Sequence, residues 1–354
     1  MASGCLMREI RPLTTLRGIF ACWVMILHIF SFGLGDPEAP WIVREGYLAV
    51  DFFFFLSGYI LARTYGDGMA AGVSARSYLD FVMRRFGRLF PMHLAVLAGI
   101  VLLHPFYAPM RIVEEATLTQ RWCFWPAGDN DWINLPAWSI STEWAASLLF
   151  PAFVWAGLLG SPRRSWITAV ACAVGLVWTA YEHEWNLNIW RSSVTYLPLA
   201  RCFADFGLGV IGYRARRAAT PLTSDLGVAT LFAGVVLTLA LKANDVVIAA
   251  VIFPTVVAIA GNAGRVAKLL SAEPLHWLGA ISYSIYLTHY PIVHFIRRFW
   301  TEVSTDGSAL AYMLTTAAVT IGTASVTYRV IEVPCRELLK GWAGRLQARP
   351  AFGS

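Results

Sequence analysis

The sequence predicts an all-α integral membrane protein, a single bundle of about ten transmembrane helices with both termini in the cytoplasm. Three observations carry that expectation. Of 354 residues, 57% are hydrophobic and 14% charged, against about 45–50% and about 25% in soluble domains. The apolar residues gather in runs with few or no charges, such as 19–34, 94–103, 147–159 and 226–241. Basic residues, finally, are distributed unevenly between alternate connecting segments.

A helix crosses the hydrocarbon with about 20 mostly apolar residues. On that length, spans are expected near 16–34, 46–66, 89–108, 138–160, 165–181, 193–213, 223–241, 245–261, 277–297 and 309–330. With the N-terminus inside, twenty of the 28 Lys and Arg fall in cytoplasmic segments and seven in outer ones, the asymmetry that orients membrane helices. The net charge of +6 is therefore an orientation signal, and no nucleic-acid partner is expected. The first apolar run continues past signal-peptide length with no small-residue cleavage site, so a multi-pass protein of the inner (cytoplasmic) membrane is expected. Residues 1–12 read as a cytoplasmic segment, 13–334 as the membrane domain, and 335–354 as a cytoplasmic tail that begins like an interfacial helix.

Cysteines at 5, 22, 123, 172, 202 and 335 have no metal-ligand spacing and read as lone thiols, so no metal is expected. The outer segment 105–136 holds Trp122, Trp125 and Trp132, and another holds Trp185 and Trp190. These rings suit either an aromatic interface belt or a platform for sugar rings.

Ionisable residues inside spans are expensive, which makes each a functional candidate. Arg17 and His28 are eleven residues apart, so they share a helix face about 16 Å apart and could line one cavity. Taken singly, Arg17 reads as a snorkelling anchor and His28 as an interhelical hydrogen-bonding group. Asp51 precedes four phenylalanines and needs a partner or a proton; His28 is one candidate partner, and a structural salt bridge is the alternative. Ser57 lies deeper in the same span. Arg85 and Arg88, at i and i+3, suit a pair of phosphates, with a helix N-terminus nearby adding its anion preference, or simply anchor the span. Glu143 follows Ser139 by one turn, Arg201 and Asp205 form a structural i, i+4 pair, and Tyr286 and His289 lie at mid-depth in the ninth span. The layout is polarised: arginines sit at the cytoplasmic mouth, and His28, Asp51, Glu143 and His289 lie midway or outward. That arrangement suits an anionic donor from inside and a hydroxyl acceptor from the middle or outside.

The segments carrying these residues are LTTLRGIFACWVMILH, VDFFFFLSGY, FVMRRFGRLFP, PAWSISTEW, LGAISYSIYLTHYP and IEVP, in order from Leu13 to Pro334. In kind and order they resemble the acyltransferase-3 family of membrane O-acyltransferases, whose members acylate surface polysaccharides, lipopolysaccharide, nodulation factors and macrolides. The resemblance aligns Arg17 and His28 with the family's Arg-x10-His pair, Arg85 and Arg88 with its Arg-x-x-Arg pair, and Glu143 with its acidic residue after Trp-Ser-x-Ser. The chain departs from the family at Thr142-Glu143-Trp144, where two acidic residues or Glu-Gln are common, and at Thr14-Thr15, where Asp-Gly is common. The family's additional hydrolase-like domain has no counterpart in the sequence, so a stand-alone membrane module is expected.

The resemblance implies an acyl-CoA donor, acetyl-CoA by default, and no permanently bound cofactor. It implies a glycan acceptor such as exopolysaccharide or lipopolysaccharide, with a macrolide or lipid as the alternative. Arg17, Arg85 and Arg88 would bind acyl-CoA. His28 would act as general base or acyl relay, with Asp51 or Glu143 fixing its imidazole; Ser57, Tyr286 and His289 are further cavity candidates. Two other classes are compatible with intramembrane His, Asp and Arg. One is a secondary transporter of an anionic metabolite, although the paired halves of such folds are not visible. The other is a catalytically inactive relative that binds acyl-CoA or glycan.

Overall fold

A computed structural model describes residues 9–34, 39–122, 132–189, 196–300 and 306–339. Trp125, Trp190, Cys5, Cys123 and the tail after Leu339 lie outside these residues. The described residues form helices and connecting turns, with no strand among them.

Four helical stretches are long and apolar enough to cross a membrane: Arg11–Leu34, Trp41–Ala71, Ala75–Leu103 and Gly307–Leu339. They contain α1 (Arg11–His28), α2 (Trp41–Arg44), α3 (Ala49–Ala71), α4 (Ala75–Leu103) and α15 (Asp306–Thr327). A short α5 (Pro109–Ala116) follows α4. The expected span 138–160 is two helices, α6 (Ala137–Leu148) and α7 (Phe150–Gly157), because Pro151 at the start of α7 cannot continue a hydrogen-bond ladder. Next come α8 (Pro162–Glu182), α9 (Leu197–Ala215), and the shorter apolar α10 (Asp225–Ala240) and α11 (Asp245–Gly261). The ninth expected span is likewise divided, into α13 (Glu273–Ala280) and α14 (Ser282–Phe299), preceded by a short α12 (Arg265–Leu270).

One local expectation is corrected. The helix carrying Arg84, Arg85 and Arg88 begins at Ala75, where Ser74 and Ser77 cap each other's backbone N–H. Those arginines therefore lie well inside α4 and not at its N-terminus. As the expected span 277–297 requires, α14 continues through Pro291 to Phe299; neighbouring helices make such a proline tolerable.

Close helix approach depends on glycines. A Cβ on Gly58 of α3 would strike the Phe206 carbonyl of α9, and one on Gly209 of α9 would strike the Phe55 carbonyl of α3. Small residues at such crossings let membrane helices come within backbone contact. The same device joins α1 to α13, where a Cβ on Gly279 would meet the Thr14 carbonyl and one on Gly18 would meet the backbone of Leu278 and Gly279. Between α3 and α9 this closeness completes a fully buried ion pair. Arg201 donates from Nε to Asp51 Oδ1 at 2.8 Å and from Nη2 to Oδ2 at 2.5 Å. Arg201 thus pairs across helices with Asp51, and the expected i, i+4 ion pair with Asp205 is not made.

Candidate active site

α1 does not end at His28 but widens into a π turn, Ile29–Leu34, a distortion frequent at functional sites. The His28 ring lies nearly parallel to that of His289 in α14, at 8° and 4.9 Å between centroids. Its Nδ1 is 2.6 Å from His289 Nε2, and His289 Nδ1 is 3.1 Å from the Ile285 carbonyl.

These contacts assign the tautomers of a neutral pair. A carbonyl only accepts, so His289 Nδ1 carries the proton and donates to it. His289 Nε2 then holds a lone pair, which accepts from the Nδ1–H of His28. His28 Nε2 is left unprotonated, the form a general base requires. The carboxylates expected to hold the imidazole stand elsewhere: His289 occupies that position, Asp51 is committed to Arg201, and Glu143 belongs to a different cluster.

That cluster lines an inner cavity of about 130 Å³ walled by Arg17, Ser57, Arg85, Arg88, Glu143 and Tyr286, with apolar side chains from α3, α4 and α6. Glu143 Oε1 accepts from Arg85 Nη2 at 2.5 Å and from the Ser57 hydroxyl at 2.8 Å. Arg85 Nε donates to Ser147 at 3.2 Å. Arg88 is 3.8 Å from Glu332 Oε1, and the other Glu332 oxygen accepts from Ser284 at 3.1 Å. Arg17 makes no ion pair among the described residues. Three guanidinium groups therefore face two carboxylates among the described residues, leaving one cation without a counter-charge in a cavity of mixed polar and apolar lining.

His28 lines a second, outer cavity of about 440 Å³. Arg17 and His28 share a helix face, as their spacing predicts, yet they open into different cavities. Tyr286 lines both, with its hydroxyl 2.7 Å from Ser139 Oγ. Asp51 lines neither. Of the tryptophans considered as sugar platforms, Trp122 donates to the Ser141 carbonyl at 3.0 Å and Trp132 stacks with Arg121 at 4.2 Å, so both are engaged in holding the loop before α6. Trp138, inside the PAWSISTEW segment, lines the outer cavity instead. Among the described residues no group of three His, Cys, Asp or Glu could hold a metal ion.

Reading the sequence alone missed His289 as the partner of His28 and Glu332 as the partner of Arg88. The available signal was a polar residue isolated in an apolar helix, which marks importance without naming a contact.

Comparison with known proteins identifies the family. The acyltransferase domain family, Acyl_transf_3, matches residues 12–329. Acyltransferase MdmB of Streptomyces mycarofaciens is 26% identical over 91% of this chain and 89% of its own. Peptidoglycan O-acetyltransferase OatA of Listeria monocytogenes is 24% identical over 83% of this chain and 52% of its own. O-acetyltransferase OatA of Staphylococcus aureus is 25% identical over 93% of this chain and 58% of its own. The chain thus spans little more than half the length of the OatA proteins it matches. No solved structure matches it. The chain belongs to the acyltransferase-3 family and is a membrane-embedded enzyme that transfers acyl groups.

Proposed function

We propose that this enzyme moves an acyl group, acetyl by default, from cytoplasmic acyl-CoA to a hydroxyl of a glycan. The observation that carries the reading is the His28–His289–Ile285 hydrogen-bond chain, which leaves the lone pair of His28 Nε2 free in a cavity that shares Tyr286 with the arginine-lined one. The inner cavity suits the donor: Arg17, Arg85 and Arg88 supply cations for its phosphates, and the apolar walls suit a pantetheine arm. A volume of about 130 Å³ admits a slender chain, so the nucleotide would remain at the cytoplasmic mouth. The orientation follows from the twenty cytoplasmic basic residues, and with it a bundle of about ten spans in the cytoplasmic membrane.

In the reaction, the acceptor hydroxyl oxygen attacks the thioester carbonyl carbon while its proton passes to His28 Nε2. The carbon–sulfur bond then breaks, and the departing thiolate takes that proton. The products are an ester and CoA thiol. A hydroxyl is far less acidic than imidazolium, so attack and proton removal must be concerted. His289 takes part through the hydrogen bond at His28 Nδ1 and does not touch the substrate. A glycan acceptor is favoured by the OatA relatives, one of which is named for peptidoglycan.

The test is His28→Ala in the native host, with ester-linked acyl groups quantified on envelope and secreted glycans and membrane levels of the protein measured in parallel. Loss of one ester from cells that keep the folded protein is the expected result. Full transfer by that variant would overturn the assignment.

A further inference from the structure

A further polar pocket lies where two helices end side by side. α4 ends at Leu103 and α14 at Phe299, and in the orientation proposed above both are outer ends. The pocket between them has a volume of about 390 Å³, and its lining includes Leu103, His104, Phe106, Tyr290, Phe295 and Arg298. Pockets of that size hold small organic ligands. Its rim faces away from the bundle: Leu103, Phe106 and Phe295 are 69%, 94% and 51% exposed. Phe295 also packs against the exposed Phe299, with ring centroids 5.1 Å apart. Large apolar side chains left bare at the end of a membrane-spanning helix are in contact with lipid.

Arg298 is the charged end of this pocket. Its Nη2 is 2.6 Å from His104 Nε2. A guanidinium only donates, so that nitrogen of His104 holds a lone pair and the ring is neutral. The contact therefore fixes the guanidinium at the pocket wall without offsetting its charge. Arg298 makes no ion pair among the described residues. Two ordinary roles for a basic residue do not account for it. Closing the last turn of α14 falls to Arg297, which donates to the Trp300 carbonyl. Orienting the helix calls for basic residues on the cytoplasmic side, and Arg298 is one of the seven on the other. What remains is a planar fork of N–H donors, suited to two oxygens of one phosphate, beside an apolar rim.

We infer that this pocket binds an anionic membrane lipid, with Arg298 on the lipid phosphate and Leu103, Phe106 and Phe295 along its acyl chains. Both halves of the pocket are needed to single out that ligand. A free anion gains nothing from the apolar rim, and a neutral lipid leaves the charge of Arg298 unmatched. The site is distinct from the two cavities of the acyl-transfer reading and does not rest on it. Its inner wall nevertheless adjoins them, because the Tyr290 ring lies 5.5 Å from that of Phe32 and 6.0 Å from that of His28.

Native mass spectrometry of the full chain tests this, with the protein stripped of lipid in detergent micelles and titrated with lipids of identical acyl chains. Dioleoylphosphatidylglycerol is expected to bind roughly 10-fold or more tightly than dioleoylglycerol, which has the tails without the phosphate. Zwitterionic dioleoylphosphatidylcholine should fall between them. Arg298→Gln should weaken phosphatidylglycerol binding about 10-fold, the loss expected for one charge-assisted contact. Arg297→Gln removes the same charge one residue away and should leave that affinity unchanged. Glycerol phosphate, which supplies the phosphate without the tails, should not displace the lipid at millimolar concentration. Equal affinity for the three lipids would overturn the inference by reducing the pocket to an apolar patch. Equal effects of the two arginine variants would overturn it by reducing Arg298 to diffuse surface charge. Displacement by glycerol phosphate would overturn it in favour of a soluble phosphate ester. The comparison of lipids on the unaltered chain decides the matter even where a variant fails to fold.

Discussion

His28 Nδ1 and His289 Nε2 stand 2.6 Å apart on helices far separated in sequence, and the Ile285 carbonyl fixes the direction of the hydrogen bond between them. A second imidazole takes the place that a carboxylate holds in many hydrolase triads. It orients His28 without adding a negative charge to a buried site.

That arrangement gives His289 a measurable positioning role. His289→Ala frees the ring and tautomer of His28, so kcat is expected to fall by roughly 10²-fold or more while the KM for acyl-CoA holds. His289→Gln, whose amide oxygen can accept from His28 Nδ1–H, should recover part of the loss. Equal losses in both variants would mean that His289 only fills space.

The arginines of the inner cavity should separate into two kinds. Arg17 has no ion-pair partner among the described residues, so Arg17→Gln is expected to raise the donor KM about tenfold or more with thermal stability unchanged. Arg85 neutralises Glu143 at 2.5 Å, so Arg85→Ala leaves a largely buried carboxylate alone and should lower stability by about 3–5 kcal/mol as well as activity. Melting curves of the two purified variants distinguish these outcomes; a destabilised Arg17→Gln would contradict the assignment.

Asp51 is expected to act on folding rather than on turnover. Both partners of the Asp51–Arg201 pair are fully buried, with side chains 0% and 1% exposed. Asp51→Asn should therefore cost about 3–5 kcal/mol and reduce membrane yield. The double change Asp51→Leu with Arg201→Met should restore much of that, because it removes both charges together. Folded Asp51→Asn protein with intact stability and no activity would instead give Asp51 a chemical role.

Glu115 sets a pH dependence outside the active site. It lies on α5, between α4 and α6, and is 2% exposed. Its carboxyl accepts from the Ile133 N–H at 2.9 Å and the Asn134 N–H at 3.3 Å. Burial pushes its pKa up to about 8, partly opposed by those two N–H groups. Unfolded, the group loses its proton near 4.5, so between these values the folded chain holds more protons. Stability should therefore be greatest below pH 4.5 and decline as pH rises to about 8, by an amount on the order of a few kcal/mol. Glu115→Gln, which stays neutral and keeps a carbonyl for the same N–H groups, should flatten that decline in melting temperature. A decline unchanged in the variant would assign it to another group.

Much of this enzyme was legible before any coordinates. Composition and apolar runs determine a membrane protein, because lipid demands long apolar helices whatever their neighbours. The six ordered segments marked Arg17, His28, Arg85, Arg88, Glu143 and the LTHYP stretch as candidate site residues, because a charge in hydrocarbon needs a reason to be there. Tertiary structure decided who pairs with whom. Arg201 meets Asp51 rather than Asp205, Glu143 meets Arg85 rather than His28, and His28 meets His289, 261 residues away. Periodicity describes which face of one helix a residue occupies, but a contact depends on which two faces meet and at what distance. Here that is set by close backbone approaches such as Gly58 with Phe206 and Gly279 with Thr14, which bring α3 against α9 and α1 against α13.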